Sequence, residues 1–406
     1  MANKSKAETT DKRPATSKWV RRTFKVSRRT SYTLAIVFAA LWVFTIAVRY
    51  PNPVMSYRLA MATPSDSVRL QPSRPIDPTT TASVFNHSEE GMPATVEWQG
   101  EKVAFSDWLT KTSTNAFIVV RGGTITHEYY APGISPSQQL PSYSIAKSVV
   151  GMLAWQLIDE GKLKWSTKFV SLFPELKTGD NFDLVTLGSL LDMGAGVNVS
   201  DDYPSGPSGW GRPIAQMYAT TDIMYFLRHH RAMDTLPGIR HEYRSVDAQL
   251  AGMMVAKAGG ASLAELTQKK IFAPMGGEFK ASWAVDRDGG WEKGFCCLNM
   301  APRDYARLGL IMLNNGKGTH GTVISPKAMT HLTNPTLPSF SDDHWGYGSF
   351  VWHPYPGTSS FDGLHEQLVL IEPSTQTVVV KLSDALDGHN AASIEVMHQI
   401  AKTAAL

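Results

Sequence analysis

Ser144 and Lys147 stand three residues apart at the head of the apolar stretch "SIAKSVVGMLAWQLIDEG". A serine hydroxyl is a poor nucleophile until a base takes its proton, and a lysine one helical turn away lies on the same face and can reach it. The lysine must be neutral to do so. Burial favours that form, because desolvation penalises an ammonium; moving a lysine pKa from about 10.4 to about 7 corresponds to roughly 4.6 kcal/mol at about 1.36 kcal/mol per unit. Ser144 at a helix start also feels the positive end of the helix dipole, and its N–H can face a developing oxyanion. The chain holds no other S-x-x-K.

The segment "HEYRSVDAQLAGMMVAKAGG" places Tyr243 and Ser245 just ahead of a second apolar helical stretch. Tyr243 is a candidate to relay a proton between Ser144, Lys147 and a leaving group, and Ser245 is a candidate to line the same pocket. Standing alone, this tyrosine reads equally well as a core residue at a helix entry.

These residues need a scaffold. From Ile145 to Ile158 the sequence is apolar on more than one face, which predicts a deeply buried helix, and Gly161 supplies its stop. "NAFIVVRGGTITHEYY" predicts a hairpin turning at Gly122-Gly123, and "WGYGSFVWH", "HEQLVLIEP" and "QTVVVKLSD" predict three strands near the C-terminus. A helical middle separates the two groups, and "AASIEVMHQIAKTAAL" predicts a last helix. The expected fold is therefore α+β: one antiparallel sheet made from both ends of the body, flanked by helices, with an inserted, mostly helical lobe.

The chain has 406 residues, 43% hydrophobic and 18% charged, enough to bury a large core. Its net charge of +3 conceals an uneven distribution, because residues 1–30 carry ten Lys/Arg against Glu8 and Asp11, which leaves the rest at −5. An acidic body argues against a nucleic-acid partner. Residues 31–49 follow the basic tail with an uncharged run from Ser31 to Val48 that ends at Arg49, long enough to cross a bilayer. The preceding cations predict a cytoplasmic N-terminus and a body on the periplasmic or extracytoplasmic side. A cleaved signal peptide ending near "LAMA" and a twin-arginine export signal at "SRRTSYT" are the competing readings of this run. Residues 50–92, rich in Pro, Ser and Thr, read as a tether, and residues 93–406 as the catalytic domain. Cys296 and Cys297 are adjacent and are expected to be unpaired, buried small hydrophobes.

From about Asn115 to the C-terminus the chain resembles the superfamily of serine β-lactamases and penicillin-binding proteins, whose members carry S-x-x-K, then Y-x-N or Y-x-S, then a third motif on a sheet strand. The stretches "LLDMGAGVNVSDDY", "GFCCLNMAPRDYARLGLIMLNNG", "WGYGSFVW" and "GLHEQLVLIEP" resemble the branch that includes 6-aminohexanoate-dimer hydrolases and related esterases. The resemblance implies Ser144 as the acylated nucleophile, Lys147 as its base and Tyr243 as proton relay. It also implies that Tyr203 lies in a loop covering the substrate. His365 is a candidate substrate contact. The late strand reads "GTSSFDGLHEQ" in place of K-T-G, so the cation that would grip a substrate carboxylate is missing there, and Glu366 replaces the glycine that commonly precedes Gln367 in this branch. A second oxyanion N–H is expected within Phe361 to Leu364.

Other classes fit less well. The chain lacks a G-x-S-x-G elbow, and its twelve histidines form neither H-x-H nor H-E-x-x-H, so neither a metal nor another cofactor is expected. The expected function is a membrane-anchored serine hydrolase acting on a small-molecule ester or amide. The alternative is a penicillin-recognising sensor or a degenerate binding domain with little turnover, for which the short basic tail supplies no signalling domain.

Overall fold

The computed structural model describes residues 28–82, 84–202, 211–341, 343–386 and 388–403. The chain divides into two compact units, Met1–Phe44 and Thr45–Leu406. Helix α1, Arg28–Ala47, accounts for the described part of the first unit and runs a few residues into the second. Its stretch Thr30–Ala47 is 18 residues long and apolar enough to cross a membrane, spanning about 27 Å at about 1.5 Å per residue.

The second unit is built on an eight-stranded sheet. The predicted hairpin forms from β1, Thr114–Arg121, and β2, Thr124–Tyr130. Gly122 and Gly123 both have positive φ, 53° and 81°, as a two-residue turn between right-twisted strands requires. The C-terminal strands are β3 (Gly346–Gly348), β4 (Val351–His353), β5 (Ser359–Gly363), β6 (Gln367–Glu372) and β7 (Thr377–Ser383). The order is β3-β4-β5-β6-β7-β1-β2, and the short strand Asn86–His87 adds in parallel to β2 at the edge. Antiparallel pairing of β7 with β1, from Thr377 opposite Arg121 to Leu382 opposite Ala116, joins the two ends of the body. The α+β architecture expected from the sequence is thus the one found.

"WGYGSFVWH" is a hairpin rather than a single strand. Ser349 and Phe350 form its corner with φ of 52° and 65°, unusual for residues that carry a Cβ. Tertiary bonds hold the corner: the Ser349 N–H donates to Asp192 Oδ1 at 3.3 Å, Trp155 Nε1 donates to Ser349 Oγ at 3.0 Å, and Ser148 Oγ donates to the Phe350 carbonyl at 2.7 Å. Gly151 permits the approach, since a Cβ there would lie 2.4 Å from the Ser349 carbonyl oxygen.

One face of the sheet packs against α2 (Ile145–Asp159) and α4 (Pro302–Leu313) in the larger core, and α3 (Ser245–Gly259) packs against α2. The other face carries the helix Phe105–Lys111 and α5 (Asn390–Lys402) over a smaller core around Trp108 and Phe117. The lobe between β2 and β3 is mostly helical and holds strands of a four-stranded side sheet that the sequence did not announce.

Two expectations need correction. Residues 50–92 read as a tether, yet they hold helices Pro53–Met61 and Pro64–Ser67 and the strand Ser73–Ile76, which pairs with Ala281–Ala284 of the body. Each piece is too short to show periodicity, and the pairing partner lies two hundred residues away. Cys296 and Cys297, expected unpaired, are joined as a disulfide between neighbours in a buried turn.

Candidate active site

Ser144 is the residue that starts α2. Tyr143 just before it sits at φ 42°, a left-handed conformation that turns the short strand Leu140–Pro141 sharply into the helix. The Ser142 N–H donates to the Leu298 carbonyl at 2.8 Å and anchors this corner. One turn along, Lys147 is 1% exposed. Its Nζ lies 2.6 Å from Ser144 Oγ and 3.1 Å from the Phe295 carbonyl oxygen. Burial lowers the Lys147 pKa to about 8, against a smaller opposing pull from Asp201.

Tyr243 reaches the same point from the loop ahead of α3, with its hydroxyl near Ser144. Lys147 Nζ lies 4.8 Å from the centre of its ring, on which Trp352 of β4 stacks at 5.6 Å and which Tyr347 meets edge-on at 6.1 Å. Burial, reinforced by the charge of Asp201, raises the Tyr243 pKa, while the nearby Ser144 hydroxyl works the other way. The phenol therefore keeps its proton at neutral pH.

The third element is the end of β5. A Cβ added at Gly363 would lie 2.4 Å from the Ser142 carbonyl oxygen and 3.1 Å from Ser144 N, so only glycine lets the strand come this close to the turn at Ser144. The ladder with β6 ends at Gly363 opposite Gln367, and Leu364 follows beyond it, 41% exposed. Ser144, Tyr243, Asp201, Asp362, Gly363 and Leu364 share the wall of one cavity of about 240 Å³.

The structure brings Ser144, Lys147 and Tyr243 together. Ser245 is close by but committed: its N–H and Oγ donate to the two carboxylate oxygens of Asp201 at 2.7 and 2.6 Å. It holds Asp201 at the cavity rather than lining it. His365 lies outside the lining; its ring meets Tyr143 edge-on at 5.0 Å and its Nδ1 is 2.6 Å from the Ala385 carbonyl oxygen. Tyr203 falls outside the described residues. Sequence reasoning missed Asp201, Asp362 and Trp352 as site residues. For Asp362 the signal was present, in the Phe-Asp-Gly that stands where K-T-G would. A K-T-G does occur, at Lys177-Thr178-Gly179, but in a surface loop where the Thr178 and Gly179 N–H groups both donate to Asp183 at 2.9 Å. Among the described residues no cluster of three or more His, Cys, Asp or Glu could hold a metal ion.

The site thus sets a serine at the head of a buried helix, a lysine beside it, and the end of strand β5 against the turn at that serine. Residues 109–401 match the family model described as Beta-lactamase, and the chain belongs to that family. It is a β-lactamase-related serine hydrolase. It is 27% identical over 296 residues to the 6-aminohexanoate-dimer hydrolase of Paenarthrobacter ureafaciens, covering 68% of this chain and 74% of that protein. A solved structure from Bacillus anthracis, provisionally described as a 6-aminohexanoate-dimer hydrolase, superposes with a TM-score of 0.73 at 20% identity, over 86% of this chain and 94% of that one. A family VIII carboxylesterase shares the fold with a TM-score of 0.57 at 14% identity, over 73% of this chain and 94% of its own.

Proposed function

We propose that the protein is a membrane-anchored hydrolase that cleaves a small ester or linear amide through an acyl-enzyme on Ser144. The observation that carries the reading is Lys147 Nζ, buried and 2.6 Å from Ser144 Oγ on the wall of an open cavity. Neutral Lys147 takes the Ser144 proton as Oγ attacks the substrate carbonyl. The oxyanion is held by the Ser144 N–H at the positive end of α2 and by the N–H of Leu364, the first residue past the β5 ladder. Collapse of the tetrahedral species breaks the bond to the leaving group, which takes its proton from Lys147 through the Tyr243 hydroxyl. Water then attacks the acyl carbonyl with the same pair as base, releasing the acid and restoring Ser144.

Two features support esters and linear amides over β-lactams. One relative is, by its name, a hydrolase of a 6-aminohexanoate dimer. The strand beside Ser144 also lacks the lysine of K-T-G, so no cation there would grip a lactam carboxylate. In this reading residues 1–30 are cytoplasmic, residues 31–49 span the membrane, and the catalytic body lies on the extracytoplasmic side, with residues 50–92 built into it. The test is turnover by the full-length protein in detergent. A panel of p-nitrophenyl esters, short linear amides and a chromogenic β-lactam should show Ser144-dependent turnover of the first two, and fractionation should leave the protein with the membrane. Turnover of the lactam alone, or activity retained in Ser144→Ala, overturns the assignment.

A further inference from the structure

The cavity at Ser144 has an acidic and aromatic wall. Asp201, Asp343 and Asp362 line it with Tyr243, Trp345 and Trp352, and no Lys, Arg or His is among the described lining residues. The three carboxylates differ in their commitments. Asp201 accepts from Ser245 with both oxygens, and Asp343 is exposed at the rim. Asp362 is 8% exposed, and its buried Oδ1 has no hydrogen-bond partner. Ser360, two residues back on the same strand face, is near enough to ease the carboxylate charge but makes no well-formed bond, since its own Oγ is also unpartnered.

The ladder sets Ser360 opposite Trp352, so Asp362 lies on the Trp352 side of β5. Trp352 in turn stacks on Tyr243 with centroids 5.6 Å apart, and Trp345 meets Trp352 edge-on at 6.0 Å. A nearly buried carboxylate oxygen without a partner is costly, and such groups persist where a ligand completes them. Aromatic faces around it attract cations as well. Burial alone holds the Asp362 pKa up at about 7, and a neighbouring positive charge would restore its ionisation.

We propose that this wall is a cation subsite: the substrate is an ester or amide bearing an ammonium group, which pairs with Asp362 in the part of the cavity lined by Tyr243, Trp345 and Trp352. Asp362 is then the specificity-determining residue, and its charge, with those of Asp201 and Asp343, excludes substrates carrying a carboxylate at that place. The inference rests on the reading of Ser144 as the nucleophile of this cavity.

The test has a turnover arm and a binding arm, both on the full-length protein. In the first, kcat/KM is compared for the p-nitrophenyl esters of 6-aminohexanoate, of heptanoate and of adipate, which are cationic, neutral and anionic at similar length. The cationic ester should lead the neutral one by about tenfold or more, the anionic ester should trail, and the cationic-to-neutral ratio should collapse toward one in Asp362→Asn. In the second, hexylammonium and hexanoate are titrated calorimetrically into Ser144→Ala, which needs no turnover. Hexylammonium should bind the tighter of the two and weaken when Asp362→Asn is added, with Asp362→Thr as a second variant should the first fold poorly. Equal ratios with and without Asp362, or no preference for hexylammonium in the binding arm, overturn the subsite. Absence of Ser144-dependent turnover with a positive binding arm would instead remove the nucleophile assignment and leave the subsite standing.

Discussion

Lys147 Nζ lies 2.6 Å from Ser144 Oγ and 4.8 Å from the centre of the Tyr243 ring, so one amine contacts both other members of the constellation. Groups that share a proton act as a unit. Ser144→Ala should abolish covalent labelling by a fluorophosphonate, while Lys147→Ala and Tyr243→Phe should keep the fold and slow labelling, each by roughly 10²- to 10⁴-fold. The double variant should be little slower than the worse single one. Labelling of Lys147→Ala at the parent rate would make the lysine structural.

The pH dependence has a defined direction. Burial brings the Lys147 pKa down to about 8. The amine is therefore mostly charged and inactive as a base below that pH, and acylation of Ser144 by a neutral probe should rise with pH through a midpoint near it. Asp201 favours the ammonium, being the group that pulls the Lys147 pKa back up. Removing its charge in Asp201→Asn should move the midpoint to lower pH. Asp362 also titrates, with a pKa of about 7, so the profile should be repeated in Asp362→Asn to isolate the lysine limb. A midpoint that stays fixed or moves upward in Asp201→Asn would show that Asp201 does not act on the lysine.

Gly363 is the point where β5 meets the turn at Ser144. Its replacement by alanine would set a Cβ 2.4 Å from the Ser142 carbonyl oxygen, which is backbone and cannot rotate away. The strand must retreat, carrying the Leu364 N–H with it. Gly363→Ala should lower kcat by about 10²-fold, as expected for a misplacement of about 1 Å, with a smaller effect on KM. Gly91→Ala is the control, because a Cβ there meets nothing within 4 Å. Equal kcat values in the two variants would place the second oxyanion donor elsewhere.

What the sequence revealed and what it concealed divide along a physical line. The hairpin at Gly122-Gly123 and the buried helix from Ile145 follow from local pattern, and Ser144, Lys147 and Tyr243 follow from spacing. Each of these signals lies within a few residues. Residues 50–92 escaped because their partners are remote: the Ser65 N–H and Oγ donate to the two Asp384 carboxylate oxygens at 2.8 and 2.6 Å, across 319 residues. The β3–β4 corner at Ser349 and Phe350 carries no turn signal and is fixed instead by Asp192, Trp155 and Ser148. Ser245 was expected to line the pocket, but it is turned to Asp201, which comes 44 residues earlier and so gave no local signal. Nothing in the letters of Cys296 and Cys297 distinguishes a free pair from a bridged one.

Glu366 and Lys381 form a buried ion pair directly behind the turn that ends at the cavity, with Lys381 Nζ 2.6 Å from Glu366 Oε2 and side-chain exposures of 0% and 2%. His365 and Glu366 both hold positive φ, 63° and 58°, in the turn that follows Leu364. Glycine would take these angles freely, whereas residues with a Cβ need support. Glu366 obtains it from Lys381, from the Ser393 hydroxyl at 2.7 Å and from the His389 N–H at 3.0 Å. Lys381→Met would leave the carboxylate buried without its counter-charge, a change worth about 3 kcal/mol or more in stability. Denaturant unfolding of Lys381→Met should show that loss, and Glu366→Gln added to it should recover part, because the uncompensated charge is then gone. Acylation of Ser144 should slow in Lys381→Met under conditions where the protein remains folded, since the turn presents the Leu364 N–H. Full stability together with an unchanged acylation rate in Lys381→Met would show that the pair supports neither the fold nor the turn.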